Sequence, residues 1–324
     1  MSNKKVYFLV SLLLLLSISF FLSQLLKPLP IQERTFIEIK EGSSLNQIIH
    51  NLEKKKIIFY PFFIKTYLII SGKSKSIYTG EYQLLPGENT FNLIKKLSNG
   101  DVFYRQVRLK EGSTFLEVLD SLKSQEALKN DLEASYVVLR KELSIENTSL
   151  EGLFSPDTYF YQKGDTYSNI LKRAYNKQQK ILTNLWSERR LDLPYKSSYE
   201  ALILASIIEK EGKEKKDIAG VFIRRLKLNM KLQSDPTVIF ALGKKFDGDI
   251  KRKDLQMRHP FNTYVNKGLP PGPIGLVSET SLIASFMPSD GSYLYFVSRG
   301  DGTHHFSETL KEHNDAVRKY QLTQ

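Results

Sequence analysis

Hydrophobic and polar positions give the chain three successive rhythms. Residues 6–26, VYFLVSLLLLLSISFFLSQLL, hold no charged side chain and follow Lys4-Lys5. A helix rises 1.5 Å per residue, so this run is long enough to cross a hydrocarbon layer of roughly 30 Å. An uncleaved anchor is favoured over a cleaved signal peptide. Ser17-x-Ser19 has the small residues of a cleavage site, but Ala-x-Ala is missing and the apolar run continues beyond it. By the positive-inside rule Lys4-Lys5 stay in the cytoplasm and the following chain crosses the membrane.

The second rhythm is a repeat. IEIKEGSSLNQII at 37–49 and VRLKEGSTFLEVL at 107–119 align without gaps, and YQLLPGENTFNLIKKL at 82–97 is a looser copy. Each reads as an alternating strand, a glycine turn, a polar residue able to cap a helix, and apolar positions at helical spacing. A further helix is expected near 61–72, before the strand GEYQLL. From about residue 125 the pattern becomes mainly helical, with helices predicted near 166–192, 198–211, 216–229, 234–242 and 279–286. SYLYFVS at 292–298 is strand-like, and Ser307 is the expected N-cap of a terminal helix. The fold class is α+β.

Composition narrows the partners. The 324 residues, 41% hydrophobic, can bury a sizeable core in more than one domain. The formal charge of +12 is spread over short clusters such as Lys54–Lys56, Arg224-Arg225 and Lys251–Lys253, which read as solvated faces rather than one binding stripe. With an anchor in front, nucleic acid is not an expected partner. The absence of cysteine excludes disulfides, thiol nucleophiles and cysteine metal sites.

Candidate chemistry begins at ILASIIEKEG, 203–212, where a helix built for the interior ends on Glu209, Lys210 and Glu211 before Gly212. The negative end of the helix dipole disfavours anions there, and burial adds to the effect, so a carboxyl in that turn could hold a proton near neutral pH. Glu209 has small neighbours, Ala205 and Ser206, on its face; a plain exit of the helix into solvent would suit Glu209 and Glu211 equally. In LQSDPTVIFALG, Ser234 or Asp235 suits a helix cap ahead of Pro236. HPFNTYVNKGLPPGPIG should be a rigid loop presenting Asn262 and Tyr264. GDGTHHFSETLKEHN gathers His304, His305, Glu308, Glu312 and His313 without His-Glu-x-x-His, so no metal and no cofactor is expected. Nucleotide fingerprints and the Gly-x-Ser-x-Gly elbow are also missing.

Two resemblances follow from these segments. FIEIKEGSSLNQIIHNLEKKKII, closed by GEYQLL, is similar to LysM-type βααβ modules that bind wall glycans. The ordered blocks GEYQLLPG, LEGLFSPDTYFY, LASIIEKEG, VFIRRLKLNMKLQSDPTVIFALG, FNTYVNKGLPPGPI and YLYFVSRGDGTHHFSETLKEHN resemble the YceG-like family of endolytic murein transglycosylases. His259, where serine is common, and GLVSE after Ile274 depart from that family's pattern. The resemblance implies a cytoplasmic tip at 1–5, a transmembrane helix at 6–26, a linker at 27–35, a LysM-like module at 36–105 and a catalytic domain at 106–324. It further implies a single-pass inner-membrane enzyme whose catalytic domain faces peptidoglycan. That enzyme cuts glycan strands between N-acetylmuramic acid and N-acetylglucosamine, leaves a 1,6-anhydro end, and associates with peptidoglycan synthases. The family's catalytic glutamate corresponds to Glu209, with Gln233, Asp235, Asn262, Tyr264 and His304 as groove residues. A noncatalytic, membrane-anchored scaffold that binds the wall is the competing expectation.

Overall fold

Four times along the chain a strand runs into a glycine turn and a capped helix with the same spacing. The strands are β1 (Thr35–Ile39), β2 (Gly80–Leu84), β3 (Arg105–Leu109) and β4 (Asp157–Tyr161). Gly42, Gly87, Gly112 and Gly164 follow, all at positive φ, a conformation glycine adopts without a Cβ penalty. Then come the caps Ser44, Asn89, Thr114 and Thr166, and the helices α2 (Leu45–Lys54), α4 (Thr90–Asn99), α5 (Phe115–Lys123) and α6 (Tyr167–Glu188). The first three close reciprocal capping boxes with Gln47, Asn92 and Glu117; replacing such a cap by alanine costs about 1 kcal/mol. The fourth copy, YFYQKGDTYSNIL, is not among the repeats expected from the sequence; like the copy at 82–97 it lacks Lys-Glu-Gly-Ser and keeps the strand, the glycine and the capped helix.

The structure is a computed structural model that describes residues 3–132, 137, 140, 141, 143 and 149–321. Residues 1 and 2 of the expected cytoplasmic tip lie outside the described residues, as does part of the stretch predicted to be helical after residue 125. Contacts divide the chain into two units after Arg105.

In the first unit, α1 (Asn3–Leu26) contains one segment, Lys5–Leu26, long and apolar enough to cross a membrane. Strand β1 pairs antiparallel with β2, Ile37 opposite Tyr82, with α2 and α3 (Pro61–Ile70) between them in the chain. The core joins Ile37, Ile39, Ile48, Leu52, Leu68, Tyr82, Leu93 and Leu97. The segment expected as a linker is partly drawn into this core: Leu29 and Ile31 are buried with Leu25, and Leu29 N donates to Glu88 O at 2.7 Å. Its apolar side chains had a hydrophobic surface to cover, which outweighed the linker-like prolines.

In the second unit, β3 pairs with β4, and α7 (Ser198–Glu211) forms the centre of the helical layer. Ala201 through Ile208 are all buried, because α6, α8 (Lys215–Lys227), α9 (Asp235–Leu242) and α11 (Glu279–Phe286) pack around α7. A helix apolar on every face belongs in such a position. Between α9 and α11 lie α10 (Arg252–Leu255) and the proline-rich loop. The chain ends with the antiparallel pair β5 (Tyr295–Ser298) and β6 (His304–Ser307) and with α12 (Leu310–Gln321).

Two expectations need correction here. Ser307 is the last residue of β6, and the terminal helix is capped instead by Thr309, whose hydroxyl accepts Glu312 N at 3.2 Å while the Glu312 carboxylate accepts Thr309 N. Arg224-Arg225 is not a solvated pair: Arg225 is buried and donates to the carbonyls of Leu294 and Leu232 at 2.6 and 2.8 Å. The loop carbonyls demand donors, and a guanidinium supplies several in one plane.

Candidate active site

Helix α7 presents its two terminal acids to different surroundings, because residues two apart in an α-helix point about 200° apart. Glu209 is locked into the protein. Its Oε2 accepts Ser278 N at 3.0 Å and the Ser278 hydroxyl, at the N-terminus of α11, and its Oε1 accepts Lys215 Nζ at 3.2 Å. Burial alone would raise its pKa, but the bonds from Ser278 and Ser281 and the Lys215 ammonium outweigh it and hold the carboxyl below its usual value. Ser278 belongs to GLVSE, the segment that departs from the family pattern.

Glu211 lines a cavity of about 710 Å³ together with Gly212, Arg225, Gln233, Asp235, Tyr264, Tyr295, Phe296 and His304. Its carboxylate accepts the Ser234 hydroxyl. Burial pushes its pKa up to about 7, and the neighbouring Asp235 charge adds to that, against the opposing effects of Ser234 and Arg225. Such a carboxyl is half protonated near neutrality, which suits a group that must give a proton and take one back.

The cavity walls come from chain segments far apart in sequence. Ser234, the N-cap of α9, leaves its own helix uncapped by its side chain and gives its hydroxyl to Glu211 instead. Its backbone N donates to Thr263 Oγ1 at 3.0 Å, and Thr237 Oγ1 lies 2.9 Å from Thr263 Oγ1, which pins α9 to the proline-rich loop. Gln233 sits at φ 51°, a conformation costly for a side-chain-bearing residue, and its N donates to Thr263 O at 3.2 Å. Tyr264 donates its phenol to Asp235 Oδ1 at 2.5 Å; burial and that carboxylate both raise the phenol's pKa, so it stays a neutral donor.

On the other side, His304 is clamped by Glu214, which accepts its backbone N at 2.9 Å and its Nδ1 at 2.7 Å. Glu214 precedes α8 as its N-cap but spends its carboxylate on His304. Burial would raise the Glu214 pKa, yet its bonds to His304 bring it below the usual value, so an ionised acceptor assigns the imidazole proton to Nδ1. The ring meets Phe296 edge-on at 5.3 Å.

Of the expected site residues, the structure brings Gln233, Asp235, Tyr264 and His304 to one cavity. Asn262 does not line that cavity: it is fully buried, and its Nδ2 donates to the carbonyls of Asp254, Leu255 and Met257 at 3.3, 3.2 and 2.8 Å. It braces the loop that carries Tyr264. Glu209 does not line the cavity either; Glu211 takes that position. Sequence reasoning missed Arg225, Ser234, Glu214 and Tyr295. The uncommitted cap at Ser234 and the acid at Glu214 gave no signal of their partners, which lie 23 and 90 residues away.

The model of the YceG-like family matches residues 37–319, nearly everything beyond α1. The chain belongs to the YceG-like family. It is 34% identical over 320 residues to a Bacillus subtilis (strain 168) protein named endolytic murein transglycosylase, covering 91% of this chain and 88% of that protein. A Streptococcus pneumoniae D39 protein of the same name is 25% identical over 321 residues, 88% of this chain but 58% of the longer relative. A crystal structure of a yceG-like protein from Listeria monocytogenes shares 32% identity and superimposes with a TM-score of 0.57, covering 88% of this chain and all of that one. The family match includes α7, both acids at its end and every residue named in the cavity.

Proposed function

We propose that this chain is an endolytic murein transglycosylase that cleaves glycan strands with Glu211 as its single proton carrier. The observation that carries the reading is a carboxyl of pKa about 7 on the wall of a polar and aromatic cavity. Protonated Glu211 delivers its proton to the glycosidic oxygen between N-acetylmuramic acid and N-acetylglucosamine, and the C1–O bond breaks as an oxocarbenium-like centre develops. The resulting carboxylate takes the proton of the C6 hydroxyl while that oxygen bonds to C1. The new chain end is a 1,6-anhydro sugar, and Glu211 has regained its proton.

General acid-base action contributes about 10²- to 10⁴-fold, so the developing positive charge needs help from its surroundings. Asp235 supplies a negative charge on the same cavity, oriented by Tyr264, and the Glu214-bound His304 supplies a fixed polar group. Tyr295 and Phe296 add aromatic edges to the cavity wall, the Tyr295 ring being stacked on His313 at 5.3 Å with the Arg225 guanidinium 5.1 Å from its centre. The Asp235 carboxylate could instead activate water, as the second acid of a hydrolytic glycosidase does; the chemical nature of the cut end separates the two.

The cellular setting belongs to the same reading. Helix α1 anchors the chain with Lys4-Lys5 in the cytoplasm, and the second unit works outside on peptidoglycan, with synthases as partners and strand length as the property it sets. The β1-α2-α3-β2 order with β1 and β2 paired supports a LysM-like role for the first unit in holding glycan.

The test compares full-length wild type, Glu211→Gln and Glu209→Gln on purified peptidoglycan, with mass spectrometry of the released ends. We expect anhydro ends from wild type, a loss of at least about 10²-fold for Glu211→Gln, and retained chemistry in folded Glu209→Gln. The opposite ranking assigns the proton carrier to Glu209. Reducing ends overturn the lytic mechanism, and wild type that binds without cutting is the noncatalytic scaffold.

A further inference from the structure

The first unit carries an apolar helix face that its own core does not use. Helix α3, PFFIKTYLII, buries Ile64 and Leu68 but leaves Phe62, Ile69 and Ile70 at 72, 55 and 80% exposure. Phe62 and Ile69 are seven residues apart and share a face, and Phe59 and Tyr60 extend the patch ahead of the helix at 55 and 40%. Contiguous apolar surface of this kind marks an interaction site.

The position of α3 identifies the occupant. Phe63 packs edge-on against both Phe20 and Phe21, each at 5.7 Å between ring centroids. Those two phenylalanines belong to the segment Lys5–Leu26 that is long enough to cross a membrane. They lie five and six residues before its end, which at 1.5 Å per residue is roughly 8–9 Å along the helix. The outer half of the hydrocarbon layer is about 15 Å deep, so Phe63 meets the span below the headgroups. The unit is fixed to the span's exit: Leu25 is buried in its core, and Leu29 and Ile31 follow it in. No free linker remains through which the unit could lift α3 away.

Charge agrees with this placement. Between Glu53 and Lys75 there are six lysines and a single acid, Glu53 itself. Lys54, Lys55 and Lys56 are exposed just ahead of the patch, Lys73 and Lys75 follow α3, and Lys65 lies within the Phe62–Ile69 face, where its stem can lie in lipid and its ammonium reach the headgroups. Lys27, directly beyond the span, lies 5.8 Å from the centre of the Tyr60 ring, an aromatic–cation pair of the kind found at bilayer interfaces.

We propose that the first unit is seated on the outer face of the membrane, with α3 embedded by Phe62, Ile69 and Ile70 and its lysines on anionic lipid headgroups. The seat rests on the reading that α1 spans the membrane. It fixes the height of the first unit above the bilayer, and it makes α3 a second point of membrane attachment beside α1.

The chain has no cysteine, so single reporters can be introduced into the full-length protein. Phe62→Cys, Ile69→Cys, Leu14→Cys and Leu191→Cys, each with a fluorescent label, are reconstituted in vesicles containing anionic lipid. Quenching by lipids spin-labelled on the acyl chain is compared with quenching by aqueous iodide. We expect labels at 14, 62 and 69 to be quenched several-fold more by the lipid probe than the label at 191, which sits on a 90% exposed residue of the second unit. Lipid quenching at 14, with labels at 62 and 69 as open to iodide as that at 191, overturns the seat and leaves the anchor intact. Absence of lipid quenching at 14 overturns the anchor, and the seat with it.

Discussion

The imidazole of His304 lies against Gly212, the residue that follows Glu211, so closely that a β carbon at position 212 would fall 2.4 Å from His304 Cε1. Gly212 has φ 173°, an extended conformation open to any residue, so its role is the space it leaves and not its backbone freedom. Gly212→Ala should therefore displace His304 from the cavity without straining the chain. We expect a fall in kcat/KM of roughly 10- to 100-fold, the scale of an ångström-sized misplacement, with little change in Tm. Glu214→Ala releases the same ring from its other side and should lower activity in the same direction. Unchanged rates in both variants would remove His304 from the mechanism.

Acidity should act on stability and turnover together. Glu211 and Glu151 both have folded-state pKa values raised to about 7, chiefly by burial, from an ordinary 4.5. The folded protein thus keeps two protons that the unfolded chain releases, and stability falls as pH rises between about 4.5 and 7. Glu209, with its value depressed, contributes the opposite dependence, lost only on acidification below that window. Urea denaturation at pH 5.5 and 8 should show the wild type less stable at the higher pH. Glu211→Gln should remove its share of that difference, about 2 kcal/mol between these two pH values. Turnover should fall above pH 7 as Glu211 loses the proton it must deliver.

Asn262 separates bracing from binding. Its amide donates to three carbonyls, and Asn262→Ala leaves those half-buried groups without it and a cavity in its place, a cost of about 2–3 kcal/mol or roughly 5–10 °C in Tm. Below the new melting point KM for glycan should change little, since the side chain does not line the cavity. A raised KM in a protein of undiminished Tm would return Asn262 to the groove.

Local physics was legible in the sequence wherever a few adjacent residues carry the whole cause. Alternation, a glycine needing positive φ, and a Ser or Thr cap foretold the copies around Gly42 and Gly112, and continuous apolar spacing gave α7 its bounds of Ser198–Glu211. An apolar run after two lysines identified the one described segment able to cross a membrane. Ser307 failed as a cap because β6 pairs with β5, a contact its neighbours in sequence do not encode.

What separates Glu209 from Glu211 is three-dimensional. The two acids share a turn, a composition and a helix end, so no local rule distinguishes them. Ser278 and Lys215 close around one and lower its pKa, while Ser234 and Asp235 accompany the other into a cavity where burial raises it. The amino-acid order by itself fixed the elements and the stock of chemical groups, because these depend on neighbours a few residues away. Which carboxyl stays protonated depends on its solvation and on charges brought from distant segments, and those exist only once the chain has folded.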